Sequence, residues 1–250
     1  MIKESLVCVL LSSGVCFAQT TSPVTESFIN NFSVNETFTL VKYDESALPN
    51  GDTTLVQFLQ GVDYKICDNL TASLNIPVYF ADSTNLGAIN LVLLWDAVKS
   101  ESLSLSLGVG VYTPMETEFG ASSVDPSLSG VFTYNLPWGG ASFVQTAEYE
   151  FVTGDAYSLA FGSKVSDDIL TANSSILCPL GDHLDIGVTA WQTYTVVTDG
   201  QQNVQMGPNA SWHVTSNVDI NGSFAVPVYQ NVNASADQDY VVSAALSIKF

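Results

Sequence analysis

LTASLNIPVYF, residues 70–80, sets Leu70, Ala72, Leu74, Ile76, Val78 and Phe80 on one parity and Thr71, Ser73, Asn75 and Tyr79 on the other. Successive side chains of a strand point to opposite faces, so this stretch reads as a ribbon with one oily face and one wet face. SLSLSLGVGVY, residues 102–112, repeats the pattern, with Leu103, Leu105, Leu107, Val109 and Val111 opposite Ser104, Ser106, Gly108, Gly110 and Tyr112. VDINGSFAVPVY, residues 218–229, opposes Val218, Ile220, Phe224, Val226 and Val228 to Asp219, Asn221, Ser223 and Tyr229. The closing YVVSAALSIKF, residues 240–250, lines up Tyr240, Val242, Ala244, Leu246, Ile248 and Phe250. No window of useful length carries a helical period, and the fold class is all-β.

What the oily rows touch follows from composition. The chain is 46% hydrophobic but only 12% charged, about half the charge content of an ordinary soluble domain. A two-layer soluble sandwich would hide its oily rows in a core and show Lys, Glu and Arg outside. Here the second rows hold Ser, Thr, Asn and Gly, as expected of a barrel with lipid outside and water inside.

Twelve strands are expected, at 36–43, 53–66, 70–80, 87–98, 103–113, 127–136, 140–152, 168–178, 183–196, 203–214, 218–229 and 239–250. Most have the ~9 to 11 residues that a tilted strand needs to cross the hydrocarbon. The expected architecture is a transmembrane antiparallel up-and-down barrel, and the even count places both chain ends on the periplasmic side. Short turns such as Asp68-Asn69 and Ser216-Asn217 alternate with longer loops, of which 153–167 contains the apolar run AYSLAF. That run could extend a strand or form an extra hairpin, giving fourteen strands as the alternative. Outward aromatics gather at strand ends: Tyr64, Trp95, Tyr134, Trp212 and Phe250 at the turn end, and Phe80, Tyr149, Phe151, Tyr194 and Tyr240 at the other. Such girdles sit at head-group depth.

MIKESLVCVLLSSGVCFA, residues 1–18, has a short charged start, an apolar run and small residues before a cut, the pattern of a cleaved signal peptide. Residues 19–35 are then an N-terminal periplasmic segment, and 36–250 the barrel. Cleavage leaves Cys67 and Cys178; parity points the first into the lumen and the second at lipid, on nearly opposite strands, so no disulfide is expected.

NLTASLNIPVYF at 69–80 and DINGSFAVPVYQ at 219–230 also match each other, each placing Pro-Val-Tyr at the outer end of an alternating strand. This pattern resembles the outer-membrane barrels grouped as the phenol-degradation MetA-pathway or transporter family. The resemblance covers these two strands and the terminal Phe; it implies a small-solute channel or an uncharacterised barrel, and carries over no functional residues. The ending Leu246-x-Ile248-x-Phe250 looks like the C-terminal signal that barrel assembly machinery reads.

The expected pore-lining ionisable residues are Asp63, Lys65, Asp96, Glu148, Glu150, Asp185, His213 and Asp219, with Lys249 at the end of the same row. Acid outweighs base in this set, and the whole chain carries a formal −19 with six cationic residues. Carboxylates around a narrow wet path concentrate cations and disfavour anions, and the same charge makes nucleic acid an unsuitable partner. Asp185, His213 and Asp219 fall in one cross-strand row, with His183 and Ser211 nearby, open to a metal site, a hydrolytic pair or a hydrogen-bonded row. No activated nucleophile or phosphate loop is present, so neither enzyme activity nor a cofactor is expected. The loop carboxylates suit loose Ca²⁺ or Mg²⁺ binding without a dedicated calcium loop. The sequence points to a passive, cation-preferring channel for small solutes in a bacterial outer membrane, the alternative being a non-conducting structural or recognition barrel. Its partners are outer-membrane lipid, the assembly machinery, and small solutes or cations.

Overall fold

A computed structural model describes residues 31–43, 54–80, 84–137, 140–196, 200–231 and 237–250. The strands are β1 (Phe32–Tyr43), β2 (Thr54–Cys67), β3 (Leu70–Phe80), β4 (Thr84–Leu86), β5 (Asn90–Lys99), β6 (Leu103–Tyr112), β7 (Asp125–Asn135) and β8 (Ser142–Glu150) in the first half. They continue as β9 (Ala156–Ser158), β10 (Ser163–Val165), β11 (Ile169–Pro179), β12 (Leu184–Thr195), β13 (Gln202–Thr215), β14 (Val218–Asn231) and β15 (Gln238–Lys249). Each long strand pairs antiparallel with its neighbours, and β15 returns to β1 with Ser33 opposite Lys249 and Val41 opposite Val241. The result is a closed twelve-stranded antiparallel barrel, the arrangement that lets a wall satisfy its amides from within. β1 begins at Phe32, so residues 32–35, expected ahead of the barrel, lie in its wall. The expected signal peptide and residues 19–30 lie outside the described residues.

The burial pattern is inverted relative to a soluble domain. Val109 and Leu93 are 57% and 46% exposed on the outer surface, whereas Asp125 is fully buried on the inside. Trp95, Tyr134, Trp212 and Phe250 are exposed outward aromatics of the turn end, and Phe151 and Tyr240 those of the opposite, loop end.

The two Pro-Val-Tyr segments coincide with breaks in the ladder, for a reason that lies in proline. It has no N–H to give, so it is tolerated where pairing is interrupted. β3 pairs with β5 only from Leu70 to Asn75 and then with β4 from Val78 to Phe80, and Pro77 sits between the two stretches. In β14 the ladder to β15 stops at Ala225, and toward β13 the register jumps, with Pro227 opposite Gln205 and Tyr229 opposite Val204. The bulge skips Val228 and turns Tyr229 to the outer surface, where it is 51% exposed. The parity reading that put Tyr229 on the wet face is corrected by this extra residue. A second bulge pairs Cys67 with Leu70, a member of the outer row, and leaves both Cys67 and Cys178 exposed and unbridged.

The 153–167 segment forms the extra hairpin, but not in the wall. β9 and β10 pair only with each other, three residues on each side, too short to span and separate from the main sheet. The fourteen-strand alternative is thereby excluded. The hairpin folds into the lumen at the loop end, where Phe161, Ala156, Val165 and Ile169 form a small core of their own. Gly162, with φ +63°, makes the turn, and its bare Cα lies against the Tyr43 ring. A larger cluster of Val41, Tyr43, Leu55, Tyr79, Phe119 and Val241 fills the space between hairpin and wall.

Candidate solute chamber

Beside the hairpin lies a cavity of about 670 Å³, lined by wall strands and by Ala156 to Ala160 of the hairpin. The hairpin backbone is docked on the wall by three hydrogen bonds. Tyr43 Oη and Gln238 Nε2 both donate to the Leu159 carbonyl, at 2.9 and 2.8 Å, and Asn203 Nδ2 donates to the Ala160 carbonyl at 2.8 Å. Asn203 Nδ2 also reaches Gln238 Oε1 at 2.7 Å, and Gln205 donates to the same oxygen, so the anchoring amides hold one another in place. The alternating pattern brings them together because all three occupy inward positions of β13 and β15.

Three rings line one part of this chamber. Tyr79 stacks on Phe119 with centroids 5.0 Å apart, and Tyr157 meets them edge-on at 5.5 and 4.8 Å. Gln57 Nε2 donates to the Tyr79 hydroxyl at 2.8 Å, fixing that ring from the neighbouring strand. Glu148 and Glu150 also line the chamber, facing inward from β8, with Asn90 and Tyr112 on β5 and β6. Asn90 Nδ2 donates to Glu148 Oε1 at 3.3 Å. Beside the chamber, the buried Asp125 accepts from the Thr153 amide at 2.7 Å and from Ser123 and Thr153 hydroxyls at 3.0 Å each, bracing the start of the hairpin segment. Asp125 is one of the carboxylates at the loop margins, and Asn90 carries no charge to mark it in the sequence. The Ser122-Ser123 pair just before Asp125 was the available sequence signal.

A second cavity of about 200 Å³ lies deeper, among Asn173, Ser175, Thr189, Asn209 and Ser211, and the two cavities share Asn173, Trp191 and Ser243. Trp191 therefore stands between an acidic, ring-lined chamber and a hydroxyl- and amide-lined one.

The other residues singled out from the sequence sit toward the turn end. Asp63 accepts from Asn35, Ser33 and Ser73, at 2.7, 3.2 and 2.5 Å, on three adjacent strands. Asp96 accepts from Ser106 at 2.7 Å and lies 3.8 Å from the Lys99 ammonium. Lys65 donates to Asp68 at 2.9 Å on the exposed turn, which holds the Asp68 carboxyl below its ordinary range. His213 stands between two carboxylates, Nδ1 2.7 Å from Asp219 Oδ1 and Nε2 3.1 Å from Asp185 Oδ2, and Lys249 extends the row to Asp219 at 3.3 Å. Both ring nitrogens are thus engaged by carboxylates rather than by Ser211, and His183 Nδ1 is 3.2 Å from the His213 carbonyl. Of the three readings of this row, the geometry is that of a hydrogen-bonded one tying β12 to β15. Leu246 and Ile248 face outward on β15, and Phe250 ends the chain with its amide donating to the Phe32 carbonyl at 3.0 Å.

A family model described as "Putative MetA-pathway of phenol degradation" matches residues 20–250. No curated relative matches the chain. Several solved structures share the fold. The COG4313 outer membrane channel from Pseudomonas putida F1 superposes with a TM-score of 0.61 at 11% identity, over 88% of this chain and 96% of that one. NanC porin gives 0.60 at 8% identity, over 88% and 100%. The CymD monoaromatic hydrocarbon channel gives 0.52 at 7% identity, over 92% and 91%. At these identities the likeness is one of fold alone, a closed porin-like β-barrel.

Proposed function

The chain belongs to the family described as "Putative MetA-pathway of phenol degradation", and from that premise we propose that it is a passive channel of the bacterial outer membrane for small solutes. It favours cations and neutral molecules over anions, with aromatic solutes in keeping with the family description. The observation that carries this reading is the chamber wall: among the described residues it contains Glu148 and Glu150 and no cationic side chain. The described lysines stand elsewhere, Lys65, Lys99 and Lys249 toward the turn end, Lys42 in β1 and Lys164 on the hairpin, and the chain has no arginine. In a narrow, partly desolvated passage a carboxylate attracts a counter-charge several-fold more strongly than it does in bulk water. Asp63, Asp96, Asp185 and Asp219 extend the acidic lining toward the turn end. The solved channels of like fold are porins and channels rather than enzymes, and a passive pore needs no cofactor. Leu246, Ile248 and Phe250 are the residues that assembly machinery would read, and the exposed apolar rows suit lipid.

The test is reversal potential in planar bilayers under a KCl gradient. The wild-type barrel should pass K⁺ in preference to Cl⁻, and Glu148→Gln with Glu150→Gln should lower the permeability ratio several-fold. No conductance, or a ratio untouched by the double variant, overturns the proposal. The second reading, a non-conducting barrel, is favoured by one feature, the hairpin hydrogen-bonded across the loop end; absent conductance with a folded barrel is its signature.

A further inference from the structure

We propose that the chamber is a binding site for a protonated primary amine carrying an apolar or aromatic body. The proposal rests on reading this chamber as the solute path and narrows its occupant to one chemical class. Asn90 is 8% exposed, lines the chamber, and commits its Nδ2 to Glu148, yet its Oδ1 is buried without a hydrogen-bond partner. Oδ1 has almost no accessible surface, so an occupant's donor reaches it through a turn of the Asn90 side chain, which the cost of an unmet buried acceptor favours. Glu148 and Glu150 are acceptors too when ionised. The polar part of the wall on β5 and β8 is thus a set of oxygens without a positive partner in the chamber.

An ammonium group complements that set, having three donors, one positive charge and no acceptor of its own. A quaternary ammonium satisfies the charge but has no N–H for Asn90 Oδ1. A phenol brings one O–H and no charge, and a carboxylate or phosphate is repelled. A bare metal cation could take the oxygens but would leave the rings unused. The stacked Tyr79 and Phe119 and the edge-on Tyr157 offer an apolar surface for the body of the molecule and π-faces that themselves attract a cation. The chamber volume, about 670 Å³, lies within the range of about 300–1,000 Å³ typical of small-molecule sites.

The experiment is calorimetric titration of the full-length mature barrel, refolded in detergent, with 2-phenylethylammonium and with its neutral counterpart 2-phenylethanol. The amine should bind saturably and about tenfold or more tighter than the alcohol, as loss of one charge-assisted contact implies. Glu150→Gln should remove that advantage, and an unchanged midpoint in urea unfolding shows that the variant is folded. Asn90→Leu should weaken the amine more than its N-trimethylated form. Equal affinities for amine and alcohol, or an amine affinity indifferent to Glu150→Gln, overturn the assignment. Its failure is separable from failure of the channel reading: a barrel that selects K⁺ but ignores the amine sinks only the binding site, whereas one that binds the amine but passes no current sinks only the channel.

Discussion

Gly207 shows how tightly single positions are set in this wall. A Cβ there would run into the Phe224 carbonyl oxygen and approach Ala225 Cα to 2.8 Å, and because the obstacle is backbone it cannot swing aside. Gly207→Val should destabilise the barrel by on the order of 1–3 kcal/mol, read as a lower midpoint in urea unfolding; an unchanged midpoint would mean that the strands can separate locally. Residues of this kind were only partly legible in sequence. Alternation assigned the facing of Asp63, Glu148 and Asp185 because each lies in an unbroken stretch of ladder. It misassigned Tyr229, where one extra residue at Val228 reverses the parity, although Pro227 was the visible warning. Asn90 drew no attention because its partner Glu148 is distant in sequence, and the bracing role of Asp125 depends on Thr153, twenty-eight residues away.

Among the elements, the β9–β10 hairpin is the one that fills the lumen at the loop end. It makes no ladder with the wall and holds its position through Tyr43, Asn203 and Gln238. Replacing residues 156–165 by a short Gly-Ser link should therefore spare the twelve-stranded wall and raise single-channel conductance by about twofold or more. Conductance unchanged in the folded variant would show that the narrowest point lies elsewhere, with Trp191 the next candidate. The apolar run AYSLAF marked this segment as structured, but its hydrophobicity suits a wall strand as well as a plug. Hydrophobic pattern does not distinguish lipid from an aromatic-lined lumen, and the inward fold depends on partners such as Tyr43 and Phe119 that are distant in sequence.

For the whole molecule, the strand number and the ring closure followed from patterning alone, since twelve alternating segments with both ends on one side leave few other closed topologies. The formal −19 and the inward carboxylates lead to an expected preference for cations, which salt dependence tests. If fixed carboxylates set ion preference, the K⁺ over Cl⁻ permeability ratio should fall toward unity between 0.1 M and 1 M KCl, as the screening length shrinks from about 10 Å to about 3 Å. A ratio insensitive to salt would instead implicate close-range coordination.

The partner change at Pro77 leaves the cylinder with an uneven seam. β3 and β5 share six residue pairs, Leu70–Asn75 against Trp95–Asn90, where β1 and β2 share eleven. Unzipping under heat or denaturant should start at the upper part of that seam, and amides near Pro77 and Asn90 should exchange with deuterium sooner than those along β1. A slit opening there would lead sideways from the acidic chamber into the acyl chains, giving an oily molecule an exit that never crosses the aqueous mouth.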